Sequence, residues 1–199
     1  MIKWDDIKES VLDELNITES EAIQNKYLEK MRRSFNKGLG IISNGLYEYI
    51  KEYTFTTTAE GDIVTMPDDF LSFTDYVDSF LLYTDAYGNT HTFMNPTGII
   101  YIGVNKLRLG LIGTYTIYYR AYFGTLTKED AEDITFDLST LAPVNVLNCM
   151  PTYIASDLLV EDDPEKHILL YNQFEIAVSR LDNNIKTNNK YFMSEKGWY

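Results

Sequence analysis

The hydrophobic pattern changes period twice along the chain. Trp4, Ile7, Val11 and Leu15 fall at spacings of three and four, one stripe of a first helix. Asn16-Ile17 interrupts it. Thr18 then opens a second expected helix through a Thr-x-x-Glu capping box closed by Glu21. Its apolar stripe is Ile23, Tyr27, Met31 and Phe35, and Gly38 and Gly40 are expected to end or bend it. A further helical piece is expected over residues 39–52, with Ile42, Leu46, Tyr49 and Ile50 on its buried side.

From Tyr53 the period drops to two. Residues 53–57 alternate, Glu60-Gly61-Asp62 turns the chain, and residues 63–66 form a second strand. Pro67-Asp68-Asp69-Phe70 reads as one helical turn capped by an aspartate. Strand character returns at residues 79–83, and Gly88-Asn89 marks a hairpin into residues 90–94. Residues 98–111 and 114–123 are expected to pair as a last hairpin joined around Gly110 and Gly113. In the final strand Tyr115, Ile117, Tyr119 and Ala121 share one face, opposite Thr116, Tyr118, Arg120 and Tyr122. Such strands make an antiparallel sandwich or a small curled sheet, and both stay open.

After an acidic connector the helical period comes back. Leu147, Met150, Ile154 and Leu158 precede the turn Glu161-Asp162-Asp163-Pro164; Ile168, Tyr171, Phe174, Val178, Leu181 and Ile185 follow it. Asp163 suits the cap of the later helix and Pro164 its first position. Pro151 lacks the N–H that a mid-helix position donates, so residues 141–149 should separate as a short element. The hairpin proper is then 151–161 against 164–185.

The expected fold is α+β, with the N- and C-terminal helices packed as a helical bundle and a central antiparallel β-sheet or sandwich lobe inserted between them. Residues 1–52 supply the N-terminal helices and 53–124 the β lobe. Residues 125–185 form the acidic connector and the helical hairpin that completes the helical domain, and 186–199 a C-terminal tail.

Charge narrows the partners. The net charge of −13 argues against a sequence-specific duplex binder. Residues 126–185 hold twelve acidic residues against three basic, so the excess is concentrated there. Glu129, Asp130, Glu132, Asp133, Glu161 and Asp162 stand out there as an acidic interface surface. Lys26, Lys30, Arg33 and Lys37 form the one basic stripe: a solvated face with Glu29 supporting Arg33, an interface toward an acidic neighbour, or a phosphate contact. The single Cys149 excludes an intrachain disulfide and a cysteine-based zinc site, and beside Leu147 and Met150 it reads as a buried inert thiol. With no leader-like start and no apolar run near the ~18 residues of a membrane span, a soluble protein of a reducing compartment is expected, without a membrane partner.

Reactive constellations are sparse. His91 and His167 lack ligand-spaced carboxylates or a nearby serine nucleophile and are expected at the surface. Asp68-Asp69, Glu132-Asp133 and Asp162-Asp163 sit where capping explains an aspartate. Gly38-x-Gly40 and Gly110-x-x-Gly113 lack a phosphate-loop pattern. We therefore expect no enzyme, no catalytic residues, no metal and no cofactor. Sixteen tyrosines and ten phenylalanines, many in the middle third, suit strand packing and also interfaces. They leave an alternative open, a monomeric aromatic-rich β-sandwich module binding a glycan or a protein.

Several segments together carry a resemblance. They are the helical start near Trp4, Met66-Pro67-Asp68-Asp69-Phe70, the tyrosine-rich residues 115–122, Pro151-Thr-Tyr-Ile-Ala-Ser-Asp-Leu-Leu159, Glu161-Asp162-Asp163 and Asn172-Gln-Phe-Glu175. In this order they resemble the head–tail connector, or neck adaptor, proteins of tailed bacteriophages, the tail tubular protein A-like group. The resemblance covers most of the chain and is strongest over residues 151–181. It implies a virion protein at the neck: a homo-oligomeric ring, typically a dodecamer, seated under the portal protein and offering its lower face to a tail or nozzle protein. DNA would pass through its channel without sequence-specific binding, and assembly would occur in the host bacterial cytoplasm. It also implies a C-terminal segment reaching onto the portal, where Tyr191, Phe192, Trp198 and Tyr199 would dock. No catalytic residues carry over.

Overall fold

A computed structural model describes residues 1–20, 26–73, 81–85, 87–92 and 99–194, with side chains described except at 29, 81, 92, 99–101 and 182–194. The chain is α+β, with helices before and after a central run of antiparallel strands. It divides into two compact units, one of Met1–Tyr47 with Phe123–Tyr199 and one of Glu48–Tyr122.

In the helical unit, α1 (Trp4–Leu15) buries Trp4, Ile7, Val11 and Leu15, the stripe the spacing predicts. Asn16 ends it in the left-handed conformation (φ 60°), which a short amide side chain tolerates. α2 (Tyr27–Ile41) starts from Lys26, also left-handed (φ 58°), and buries Tyr27, Met31, Phe35 and Leu39. The expected stripe member Ile23 and the capping residue Glu21 lie outside the described residues.

The two glycines do not end α2. The helix continues to Ile41 and closes in a π turn, Ile42–Leu46. Gly38 instead allows a close helix crossing, because a Cβ there would sit 2.6 Å from Met150 Cε and from Tyr153 Cδ1. The helical piece expected over 39–52 is also corrected: Ile42 is buried, but Leu46 and Ile50 are exposed and a strand begins at Ile50. Pairing across the sheet overrides the local helical spacing there.

After α3 (Lys128–Glu132), a 3-10 turn (Leu138–Thr140) and α4 (Val144–Leu147) comes α5 (Met150–Leu158). Pro151 sits in its first turn, where a missing N–H is harmless, so the short element before it is separate as expected. α5 is the axis of the unit and packs against α1, α2 and α6 (Pro164–Ser194). Asp163 caps α6 by accepting from the Lys166 N–H at 3.0 Å.

α6 faces α5 through Leu170, Phe174 and Val178. The expected Ile168 is corrected: it is 58 % exposed, since two residues turn a helix by roughly 200° from Leu170. Tyr171 and Leu181 are half-buried, and the Ile185 side chain lies outside the description. The tail expected from residue 186 is corrected as well, because α6 runs on to Ser194.

The second unit holds β1 (Ile50–Thr57), β2 (Ile63–Thr65), β3 (Phe70–Phe73), β4 (Leu81–Thr84), β5 (Thr90–Thr92), β6 (Ile99–Tyr101), β7 (Lys106–Leu109) and β8 (Gly113–Ala121). One sheet runs β1-β8-β4-β5, with β3 also on β8, and a second runs β2-β7-β6. The expected hairpin of the last two strands is therefore corrected. β7 pairs with β6 and β2, whereas β8 pairs with β1, β3 and β4, and residues 110–112 carry the chain between sheets.

Both sheets feed one core: Leu107 and Leu109 from the second, Tyr83, Tyr115, Ile117, Tyr119 and Ala121 from the first. The alternation in β8 buries the residues its pattern predicts. The sequence Pro67 to Phe70 is a tight turn closed by Phe70 N–H to Pro67 C=O at 3.0 Å, not a capped helical turn.

Candidate functional site

Polar side chains gather at three places, each fixed by the elements around it. On the sheet unit, Lys51 of β1 faces Tyr119 of β8 in register. Asp69, on the turn before β3, takes a hydrogen bond from Lys51 Nζ at 2.5 Å and one from Tyr119 OH at 2.8 Å. Burial raises the Asp69 carboxyl, but the Lys51 and Tyr119 bonds and the lysine charge outweigh it and hold it below the usual carboxylate range. Burial and the bond to Asp69 push Tyr119 far up. Lys51 also lies 5.2 Å from the Tyr49 ring centroid. An inward lysine on β1 is one way to discourage edge-to-edge pairing.

The opposite face of that sheet carries a row of threonines. Thr54 pairs with Thr116 and Thr56 with Thr114, and their hydroxyls share hydrogen bonds of 2.9 and 3.1 Å. Thr84 continues the row between Thr114 and Thr90. The tyrosines Tyr83, Tyr115 and Tyr119 turn inward and are nearly fully buried.

In the helical unit, α5 carries two polar clamps. Ser34, buried on α2, donates to Asp157 Oδ2 at 2.7 Å, while Lys37 reaches Asp157 Oδ1 at 2.6 Å. Fully buried Ser156 donates to the His167 carbonyl at 3.1 Å, and His167 Nδ1 lies 2.9 Å from its Oγ and 3.0 Å from its carbonyl. The surface position expected for His167 is thus corrected: it is half-buried against a serine. With its hydroxyl buried and donating to a carbonyl, Ser156 joins α5 to α6. His91 stays exposed, 3.4 Å from Asp85.

Of the basic stripe, Lys30 and Arg33 are exposed on α2, Lys26 occupies the left-handed start and Lys37 is engaged with Asp157. Of the acidic set, Asp130 closes a capping box with Thr127, Glu132 is 3.6 Å from Lys128, Asp133 binds Thr135, and Glu129 and Glu161 are exposed. Asp162 takes the Tyr27 hydroxyl at 2.5 Å, which ties the acidic turn to the start of the basic stripe. Burial and Asp162 together raise Tyr27 to about 12. Among the described residues no bond joins the α3 acids to those of the turn. Tyr191 and Phe192 fall in the last turns of α6, while Trp198 and Tyr199 lie outside the described residues.

Lys51–Asp69–Tyr119 and Ser156–His167 escaped the sequence reading, because each joins residues on different elements. The one available hint was Asp69 in the proline-containing turn that follows a strand. Cys149 is buried, and burial raises its thiol. Among the described residues no group of three or more His, Cys, Asp or Glu could hold a metal ion, and no helix is long and apolar enough to cross a membrane. Comparison with protein-family models and with curated proteins finds no match to the chain.

Proposed function

We propose that the chain is a structural virion protein that forms a ring at the neck of a tailed bacteriophage, joining the portal to the tail and continuing the DNA channel. The observation that carries the reading is the architecture: the segments before and after the β unit, Met1–Tyr47 and Phe123–Tyr199, make up one helical unit. The segment of strongest resemblance, residues 151–181, makes up α5 and the first half of α6, against which α1 and α2 assemble. Acidic residues over 126–185 suit a surface past which DNA phosphates slide without sticking. The glycan-binding alternative draws no support from Tyr83, Tyr115 and Tyr119, whose rings are spent on the core.

Retention of the chain on immobilised portal assemblies tests the proposal. The full chain should be retained, and deletion of residues 190–199 should weaken retention while leaving the melting temperature nearly unchanged. Equal passage of the full chain over portal and over an unrelated ring would count against the reading.

A further inference from the structure

An asparagine cyclises onto its own backbone most readily when glycine follows it, because no Cβ stands in the way of the attacking nitrogen. Asn44 is the only asparagine of the chain that precedes a glycine. It falls in the π turn Ile42–Leu46, where α2 gives out. Ile42 and Ser43 are buried and hold one side of that turn, whereas Asn44, Gly45 and Leu46 are exposed. In a regular helix the peptide nitrogen after an asparagine is committed to a carbonyl one turn back and is held away from the side chain. Here helical dihedrals fail at Gly45 (φ 177°, ψ −13°), directly after Asn44. A Cβ on Gly45 would meet nothing within 4 Å, so water has open access to the peptide.

The other described asparagines differ in one respect or another. Asn36 grips the Leu126 backbone through both amide atoms, at 3.0 and 2.9 Å, and Asn89 is tied to Asp85 at 3.1 Å. Asn105 is exposed as Asn44 is, but Lys106 follows it and brings a side chain to the attacking position. Among the described residues no hydrogen bond holds the Asn44 side-chain amide.

We propose that Asn44 is a site of spontaneous deamidation through a succinimide. The Gly45 backbone nitrogen attacks Asn44 Cγ, and its proton passes through water to the amide nitrogen. The Cγ–Nδ2 bond breaks and ammonia leaves. Water then opens the ring at either carbonyl, leaving aspartate or isoaspartate at position 44; the step consumes water alone. The chain gains one negative charge beyond its −13. Isoaspartate also puts one more carbon into the main chain, inside a closed turn, since Tyr47 N–H donates to Ile42 C=O at 3.0 Å around Asn44. The widened turn loses that bond, in the stretch that leads from α2 to β1. The inference stands apart from the ring reading.

Peptide mass mapping of the full chain during incubation at mildly alkaline pH tests it, folded and in guanidinium chloride. The peptide holding Asn44 should convert first in both, with isoaspartate in excess of aspartate, and the folded rate should lie within severalfold of the unfolded one. Gly45→Ala, which adds its methyl group to open space, should convert severalfold more slowly. A folded chain intact at Asn44 while the unfolded sample converts overturns the proposal. So does conversion of Asn105 at an equal rate, an unchanged rate in Gly45→Ala, or aspartate formed without isoaspartate. The aged folded chain should also exchange its Tyr47 amide hydrogen faster; unchanged exchange there overturns the opening of the turn.

Discussion

The helical and sheet units solve the same problem, the placing of polar groups near a core, in different ways. In the helical unit the core is apolar and helices approach closely at Gly38, with polar clamps on α5 at Ser156 and Asp157. In the sheet unit the core is aromatic, and the tyrosines carry their hydroxyls to its rim, where they tie down loops and the Asp69 turn. Packing sets stability in the first unit. Hydroxyl bonds set loop geometry in the second.

Loss of volume in the helical core should be the most damaging change. Phe174 is fully buried and lies 4.9 Å from Tyr153 between ring centroids. Phe174→Ala should cost about 3–5 kcal/mol, read as a lower denaturation midpoint. If calorimetry shows the sheet unit losing as much, the two units do not differ in the way described.

Crowding at the sheet rim should come next. A Cβ on Gly113 would lie 2.6 Å from the Thr84 carbonyl, a backbone atom that cannot swing aside. Gly113→Ala should cost about 1–3 kcal/mol in a urea titration. Thr57→Val keeps the shape but removes the hydroxyl shared by Leu111 C=O and the Gly113 N–H. Its cost should be about 1–2 kcal/mol, with faster hydrogen exchange confined to residues near 111–113.

The pH dependences should be smallest, and they have opposite signs. Asp69 is held below its ordinary value, so its contribution is present above the unfolded carboxylate range near 4 and fades as pH falls through the folded value. Tyr27 is raised to about 12, so its contribution is complete below the ordinary tyrosine value near 10 and is lost as pH climbs from there to about 12. Asp69→Asn should flatten the acid limb of a stability profile and Tyr27→Phe the alkaline limb. A profile unchanged by either substitution would remove that residue from the account.

The two units also differ in how far sequence alone describes them. α1 and the α5 stripe follow from spacing, because a helix brings residues three and four apart onto one face and its contacts are local. The inward face of β8 follows for the same reason, as alternation is a local property. Which strand β8 pairs with is not local: β1 lies more than fifty residues away, and nothing in residues 98–123 distinguishes a hairpin from a crossover between sheets. Gly38 misled for a related reason. A glycine that ends a helix and one that admits a neighbour look alike until α5 is in place. Lys37 illustrates the limit at the surface, since its stripe was legible but its partner Asp157 was not.

The central claim, a ring that continues the portal channel, meets its most direct test in electron microscopy of the full chain mixed with portal assemblies. The account predicts a coaxial ring of chain copies beneath the portal, its channel in line with the portal's own. Portal particles that stay bare at every mixing ratio would contradict it.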